Sequence, residues 1–157
     1  MKAILLSEGA RLPKRTNEFA AGYDLYVPRN FEINPGRNLI PLDIKVELLP
    51  GTEGQIRPRS GFSINGIEGF FPDKPDELIR LDADIKIGTI DEDYRGIVGV
   101  IIKSYESKPF IIPKGTKIAQ MVISRYVSEP FEEAATLTKT ERADKGFGHS
   151  GSKEFLF

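Results

Sequence analysis

Turn-forming residues recur along this chain too often to leave room for long helices. It has 15 glycines and 11 prolines spread through 157 residues, and the stretches between them are short and strand-like. Leu42-Asp43-Ile44-Lys45-Val46-Glu47-Leu48 alternates apolar and charged residues without a break, the period of a strand with one buried face. Leu49-Pro50-Gly51 follows as a turn, and Asn34-Pro35-Gly36 marks another just before. Ile97 to Ile102 is continuously apolar and β-branched apart from Gly99, which predicts a strand buried on both faces. Ile118 to Ile123 is a second such run. Glu132 to Leu137 offers at most a helical turn or two. Gly66 to Lys86, with Phe70-Phe71-Pro72-Asp73-Lys74-Pro75 inside it, reads as a long excursion rather than one strand. The expected architecture is an all-β sandwich or jelly roll: a core over residues 1–140 with an extended loop at 66–86, then a mobile Gly-containing tail over 141–157.

Composition then narrows the chemistry. With 22 Lys+Arg against 23 Asp+Glu the net charge is −1, and no basic block predicts a surface for nucleic acid. No apolar run approaches the roughly 18 residues of a membrane-spanning helix, so no membrane partner is expected. The opening residues turn acidic at Glu8, too soon for a secretion signal, so the expected location is the cytoplasm. Cysteine is absent and His149 is the single histidine, which excludes thiolate chemistry and His-cluster metal sites and disfavours a serine–histidine relay. Carboxylates and a hard cation held by oxygen ligands are the hydrolytic tools left.

Gly146-Phe147-Gly148-His149-Ser150-Gly151 has the glycine spacing of a dinucleotide fingerprint but no following helix or strand to make it work. Two readings remain: a nest of backbone N–H groups for an anion, aided by Arg142 and by Phe147 stacking on a flat ring, or a solvated terminus. Arg59-Ser60-Gly61, after Pro58, offers a guanidinium, a hydroxyl and an open N–H to a phosphate oxygen; alone, such a triplet is common and reads more simply as a solvated turn. Gly88-Thr89-Ile90-Asp91-Glu92-Asp93-Tyr94-Arg95-Gly96 places three carboxylates in one turn. Asp91, following apolar Ile90, is expected to point inward and orient a water or hold a cation, with Tyr94 as a pocket wall. An acidic hairpin turn offset by Arg95 is the plainer alternative. Asp24, between apolar neighbours, and Gln120, inside an apolar strand, each need a hydrogen-bonding partner or a role.

In this order the segments Ala21–Leu25, Pro58–Gly61, Gly88–Gly96, Gly115–Gln120 and Arg142–Gly151 resemble the sequence motifs of the homotrimeric dUTPases. The resemblance implies a jelly-roll trimer that cleaves dUTP to dUMP and pyrophosphate with Mg²⁺, limiting uracil in DNA and supplying dUMP for thymidylate synthesis. It also implies a site shared among subunits, the first, second and fourth motifs from one, the third from a neighbour and the tail from the last. By the same resemblance Asp91 orients the attacking water, Gln120 lies near it and the α-phosphate, and Asp24 supports the hydrated metal, which needs no direct protein ligand. Arg59, Ser60 and Gly61 bind phosphate; Gly88, Ile90 and Tyr94 receive the nucleoside, Tyr94 packing under deoxyribose. Arg142, Phe147, Gly148 and Ser150 close over the γ-phosphate and uracil.

The chain departs from the family pattern in a longer stretch between Gly61 and Asp91, in Ala143-Asp144-Lys145 within the fifth motif, and in His149 where serine is common. A protonated His149 could replace that serine's contact; as a terminal residue it reads more simply as solvated. The related dCTP deaminases use a glutamate on the strand after the third motif, and Gly96 to Ile102 contains no acid. A nucleotide-sensing module that meets a protein partner through 66–86 is the other alternative, although Phe70 and Phe71 are expected to pack beneath that loop.

Overall fold

The computed structural model describes residues 1–144. Its frame is antiparallel throughout. A four-stranded sheet runs in the order β10 (Gly88–Ile90), β6 (Thr52–Arg57), β13 (Lys117–Arg125), β2 (Gly22–Tyr26). A three-stranded sheet runs β4 (Gly36–Pro41), β11 (Gly99–Ser104), β9 (Ala83–Ile85). Three two-stranded ribbons complete it: β1 (Lys2–Leu5) with β5 (Ile44–Glu47), β12 (Phe110–Ile112) with β3 (Phe31–Ile33), and β7 (Ile67–Gly69) with β8 (Ile79–Leu81). The one helix among the described residues is α1 (Ser60–Asn65). The expected all-β jelly roll is borne out. No helix of the described residues is long and apolar enough to cross a membrane.

Leu42, Ile44, Val46 and Leu48 all face the core, as the alternation requires. On the other face Lys2 sits opposite Glu47 in the β1–β5 register and its Nζ lies 2.9 Å from the carboxylate. The ladder begins only at Ile44 because Asp43 takes φ of 54°, with its carboxylate held by Arg29 at 2.6 Å and Ser7 at 3.0 Å. The core between the sheets includes Leu25, Val27, Ile33, Ile40, Val100, Ile102, Phe110, Ile112 and Ile118, all essentially inaccessible.

Three expectations need correction. First, the Ile97–Ile102 run is buried on one face only. Val98, Val100 and Ile102 point inward, while Ile97 and Ile101 are 42% and 41% exposed, with 62%-exposed Leu39 directly opposite Ile101. Second, the Gly66–Lys86 segment is mostly framework. Ile79, Leu81, Ala83 and Ile85 alternate with Arg80, Asp82 and Asp84 and pack inward through β8 and β9, leaving only 70–78 as a loop. At its edges the Phe70 backbone pairs with Ile111 and the Phe71 ring packs against the core, so the packing expected of the two rings is seen for Phe71. Third, Glu132–Leu137 forms no helix; it is too short to repay nucleation without an apolar stripe packed on the body.

Gly66 ends α1 with φ of 70°, and a Cβ there would lie 2.3 Å from the Leu81 carbonyl oxygen. That close approach seats the hairpin against the helix. Phe110 is the largest fully buried side chain. Phe110→Ala is expected to cost about 3–5 kcal/mol through lost burial and the cavity left behind, measured by urea denaturation at fixed protein concentration.

Candidate active site

Strand β13 lies between β6 and β2, and its register sets Gln120 opposite both Arg57 and Asp24. Residues directly opposite share a face, so these three side chains emerge on the same side of the sheet. There they floor a cleft of about 800 Å³, walled by Thr16, Ala20–Gly22, Arg59–Phe62, Gly115–Lys117 and the β7–β8 pair Glu68 and Arg80. The first, second and fourth sequence motifs therefore meet in one place.

Asp24 is the electrostatic centre of the cleft. It is 6% exposed, and its two oxygens are divided between cations: Oδ1 lies 3.0 Å from Arg59 Nε, and Oδ2 lies 2.8 Å from Lys117 Nζ. The Thr16 hydroxyl also donates to Oδ2, at 3.4 Å. Lys117 reaches Asp24 because of a β-bulge. The register shifts between Lys117 and Ala119, so Lys117 opposes Tyr26 and faces the side that Asp24 and Gln120 face. Regular alternation would have turned it away.

Gln120 Nε2 donates to the Pro58 carbonyl at 2.9 Å, which satisfies the amide inside its apolar strand. Gly22 leaves room for this amide, since a Cβ there would lie 2.1 Å from Gln120 Oε1 and would displace the side chain. Pro58 ends β6 and delivers Arg59, Ser60 and Gly61 to the first turn of α1, where backbone N–H groups lack intrahelical acceptors.

The Asp91 end of the third motif stands apart. Strand β10 pairs with β6 so that Gly88 opposes Ile56 and Ile90 opposes Gly54. Asp91 thus falls near the level of Glu53, roughly 13 Å along the strand from Arg57, and it is exposed. The expectation that Asp91 points inward is corrected: Ile90 takes the inward position, and Asp91 opens a turn closed by the Tyr94 N–H to its carbonyl at 3.1 Å. The Tyr94 hydroxyl donates to the Ile97 carbonyl at 3.0 Å, and its ring lies over Gly96, whose missing Cβ would meet the ring carbons. Arg95 donates to the carbonyls of Glu92 and Tyr94, at 2.7 and 2.9 Å, and makes no ion pair with the neighbouring acids.

Sequence reasoning passed over Glu92. Its Oε2 accepts the Gly51 N–H at 2.7 Å and the Tyr126 hydroxyl at 2.6 Å. Those bonds, the phenol's first, hold the carboxyl below its usual range, and the same contact raises the Tyr126 phenol. Arg57, Lys117 and the Glu68–Arg80 pair, 2.8 Å apart, also went unassigned. Lys117 lay inside a recognised motif, but the other three carry no local signal.

Arg142 is exposed; Phe147, Gly148, His149 and Ser150 lie outside the described residues. Among the described residues no three His, Cys, Asp or Glu side chains gather as metal ligands. Asp24 and Glu68 are the carboxylates that line the cleft.

The dUTPase family model matches residues 8–70 and 77–151, passing over 71–76 at the tip of the β7–β8 hairpin. The deoxyuridine 5'-triphosphate nucleotidohydrolase of Caldanaerobacter subterraneus subsp. tengcongensis is 43% identical over 144 residues, 89% of this chain and 88% of its own. That of Clostridium tetani is 40% identical over 153 residues, 96% of each chain. Among solved structures, the dUTPase of Staphylococcus bacteriophage 80alpha with dUPNHPP superimposes with a TM-score of 0.79 at 26% identity, covering 96% of this chain and 97% of that one. That structure is described in terms of phage dUTPases controlling transfer of virulence genes by a proto-oncogenic G protein-like mechanism. With a family match over most of its length and relatives this similar end to end, the chain belongs to the dUTPase family.

Proposed function

We infer that this chain hydrolyses dUTP to dUMP and pyrophosphate, in a site completed by other copies of itself, most simply in a homotrimer. The observation that carries the shared site is the separation within one chain. Asp24, Arg59–Gly61, Lys117 and Gln120 gather in the cleft, while the Asp91 turn lies at the far end of β6. A second observation supports assembly: Leu39, Ile97 and Ile101 form an apolar strip on the outward face of the β4–β11–β9 sheet, and such strips mark interfaces.

Phosphoanhydride hydrolysis depends chiefly on positioning and charge neutralisation. Arg59, with the hydroxyl of Ser60 and the open N–H groups at Ser60 and Gly61, receives the phosphates. Gln120, fixed by the Pro58 carbonyl, presents its amide where the α-phosphate and water meet. Asp91 of a neighbouring copy orients that water and takes its proton. Gly88, Ile90 and Tyr94 of the same neighbour receive the nucleoside, with Tyr94 beneath the sugar where a 2′-hydroxyl would collide. Arg142, Phe147, Gly148 and Ser150 of the tail close over phosphate and base and exclude bulk water.

The cleft suits Mg²⁺ carried by the nucleotide. One deeply buried carboxylate, Asp24, has acceptor capacity left after its two cations, enough for a water-mediated contact but no cage. Bound there, the ion would neutralise charge on the phosphates. We place the activity in the cytoplasm, where nucleotide pools lie.

A second role is favoured by one feature. The hairpin tip is exposed from Pro72 to Leu78, and the family model passes over 71–76 within it; a regulatory protein partner could engage it. Removing residues 72–77 is expected to leave dUTP hydrolysis within about twofold of wild type, read by pyrophosphate release, because the tip supplies no residue to the cleft.

Asp91→Asn should lower kcat on the order of 10²–10³-fold or more, while nucleotide binding stays measurable by calorimetry. Mixing and reassembling it with an equally inactive Arg59→Ala chain should restore pyrophosphate release, since hybrids contain sites with both residues intact. No recovery in verified hybrids would exclude the shared site. Across dUTP, UTP, dCTP and dTTP, release should be confined to dUTP and should collapse when EDTA removes Mg²⁺. Ammonia release from dCTP would indicate deamination instead.

A further inference from the structure

Between the end of β10 at Ile90 and Val98, the hydrogen bonds of the third-motif turn are almost all local. Tyr94 bonds to Asp91 and Ile97, and Arg95 bonds to Glu92 and Tyr94. Among the described residues, Glu92 makes the side-chain hydrogen bonds that leave the segment. Its single oxygen Oε2 takes both the Gly51 N–H and the Tyr126 hydroxyl. Gly51 belongs to the positive-φ turn before β6. Tyr126 follows the last residue of β13, and its N–H donates to the Gly51 carbonyl at 3.3 Å. One carboxylate oxygen therefore joins the turn bearing Asp91 and Tyr94 to the leading end of β6 and to the root of the C-terminal segment.

We propose that Glu92 is a positioning residue for hydrolysis, holding the Asp91–Tyr94 turn at the angle from which it serves the site. The inference rests on the reading above that Asp91 and Tyr94 act on the substrate. Asp91 and Tyr94 are both exposed, and among the described residues neither side chain hydrogen-bonds or ion-pairs with another side chain, so the aim of each depends on the turn that carries it. Displacement by an ångström or so is enough to cost about 10²-fold in rate. Because the carboxylate only accepts, a glutamine carbonyl oxygen can take both bonds, whereas alanine takes neither.

The test compares Glu92→Ala, Glu92→Gln, Tyr126→Phe and Asp91→Asn by steady-state kinetics on dUTP and UTP, with assembly checked by sedimentation. Glu92→Ala should lower kcat for dUTP by about 10- to 100-fold and erode the dUTP-over-UTP preference by at least about tenfold, because one turn carries both functions. Glu92→Gln should recover most of both. Tyr126→Phe should move both quantities in the same direction by less, and it keeps the test alive if Glu92→Ala does not fold. Wild-type kcat and nucleotide preference in folded Glu92→Ala or in Tyr126→Phe, with Asp91→Asn inactive, would overturn the proposal; a merely structural anchor would lower Tm and leave the preference unchanged. Activity in Asp91→Asn would instead overturn the underlying reading of the site.

Discussion

The pairing of β13 with β6 on one side and β2 on the other is the constraint on which the cleft depends. Antiparallel ladders bring residues distant in sequence to the same level, and here Arg57, Gln120 and Asp24 share one rung of the sheet. The interior of that sheet locks the register. Met121 and Ile56 pack inward together, and a slip by one residue would send them to the cleft and the polar trio into the core. The geometry of the polar site is thus held by the apolar face behind it.

The cleft carries more cations than acids, with Arg57, Arg59, Arg80 and Lys117 against Asp24 and Glu68. Asp24 is buried deeply enough that it needs partners, and Arg59 and Lys117 are both within ion-pair distance. The arrangement orders two cations before any anion arrives. Arg59 and Lys117 remain partly exposed, at 37% and 41%, so both stay open to the cleft while Asp24 keeps them gathered. The bulge at Ile118 makes this possible, since it re-aims Lys117 within an otherwise regular strand. The ion pairs account for why these residues form the cleft.

The third motif shows the other kind of dependence. Its turn is built from local hydrogen bonds and a stacked Tyr94–Gly96 contact, and it is tied to the body through Glu92. Its exposure in one chain, together with the exposed apolar residues Leu39, Ile97 and Ile101, is the ground on which the proposal of a shared site stands. Burial of Ile97–Ile102 on both faces, expected from the apolar run, is a property that one chain alone does not have.

What the sequence alone decided is local: the period-two pattern of Leu42–Leu48, the turns at Pro35-Gly36 and Pro50-Gly51, the all-β class, and the motifs whose order points to the family. It could also have yielded β8 and β9, since Ile79 to Ile85 alternates cleanly, but the surrounding Pro and Asp residues masked that period. The tertiary structure decided which motifs meet. That Lys117 joins Asp24, that Arg57 and Arg80 enter the cleft, that Asp91 faces outward and that Glu92 binds Gly51 and Tyr126 all follow from strand register and one bulge. Register is set by packing between segments far apart in the chain, and periodicity within a segment carries no record of its partner.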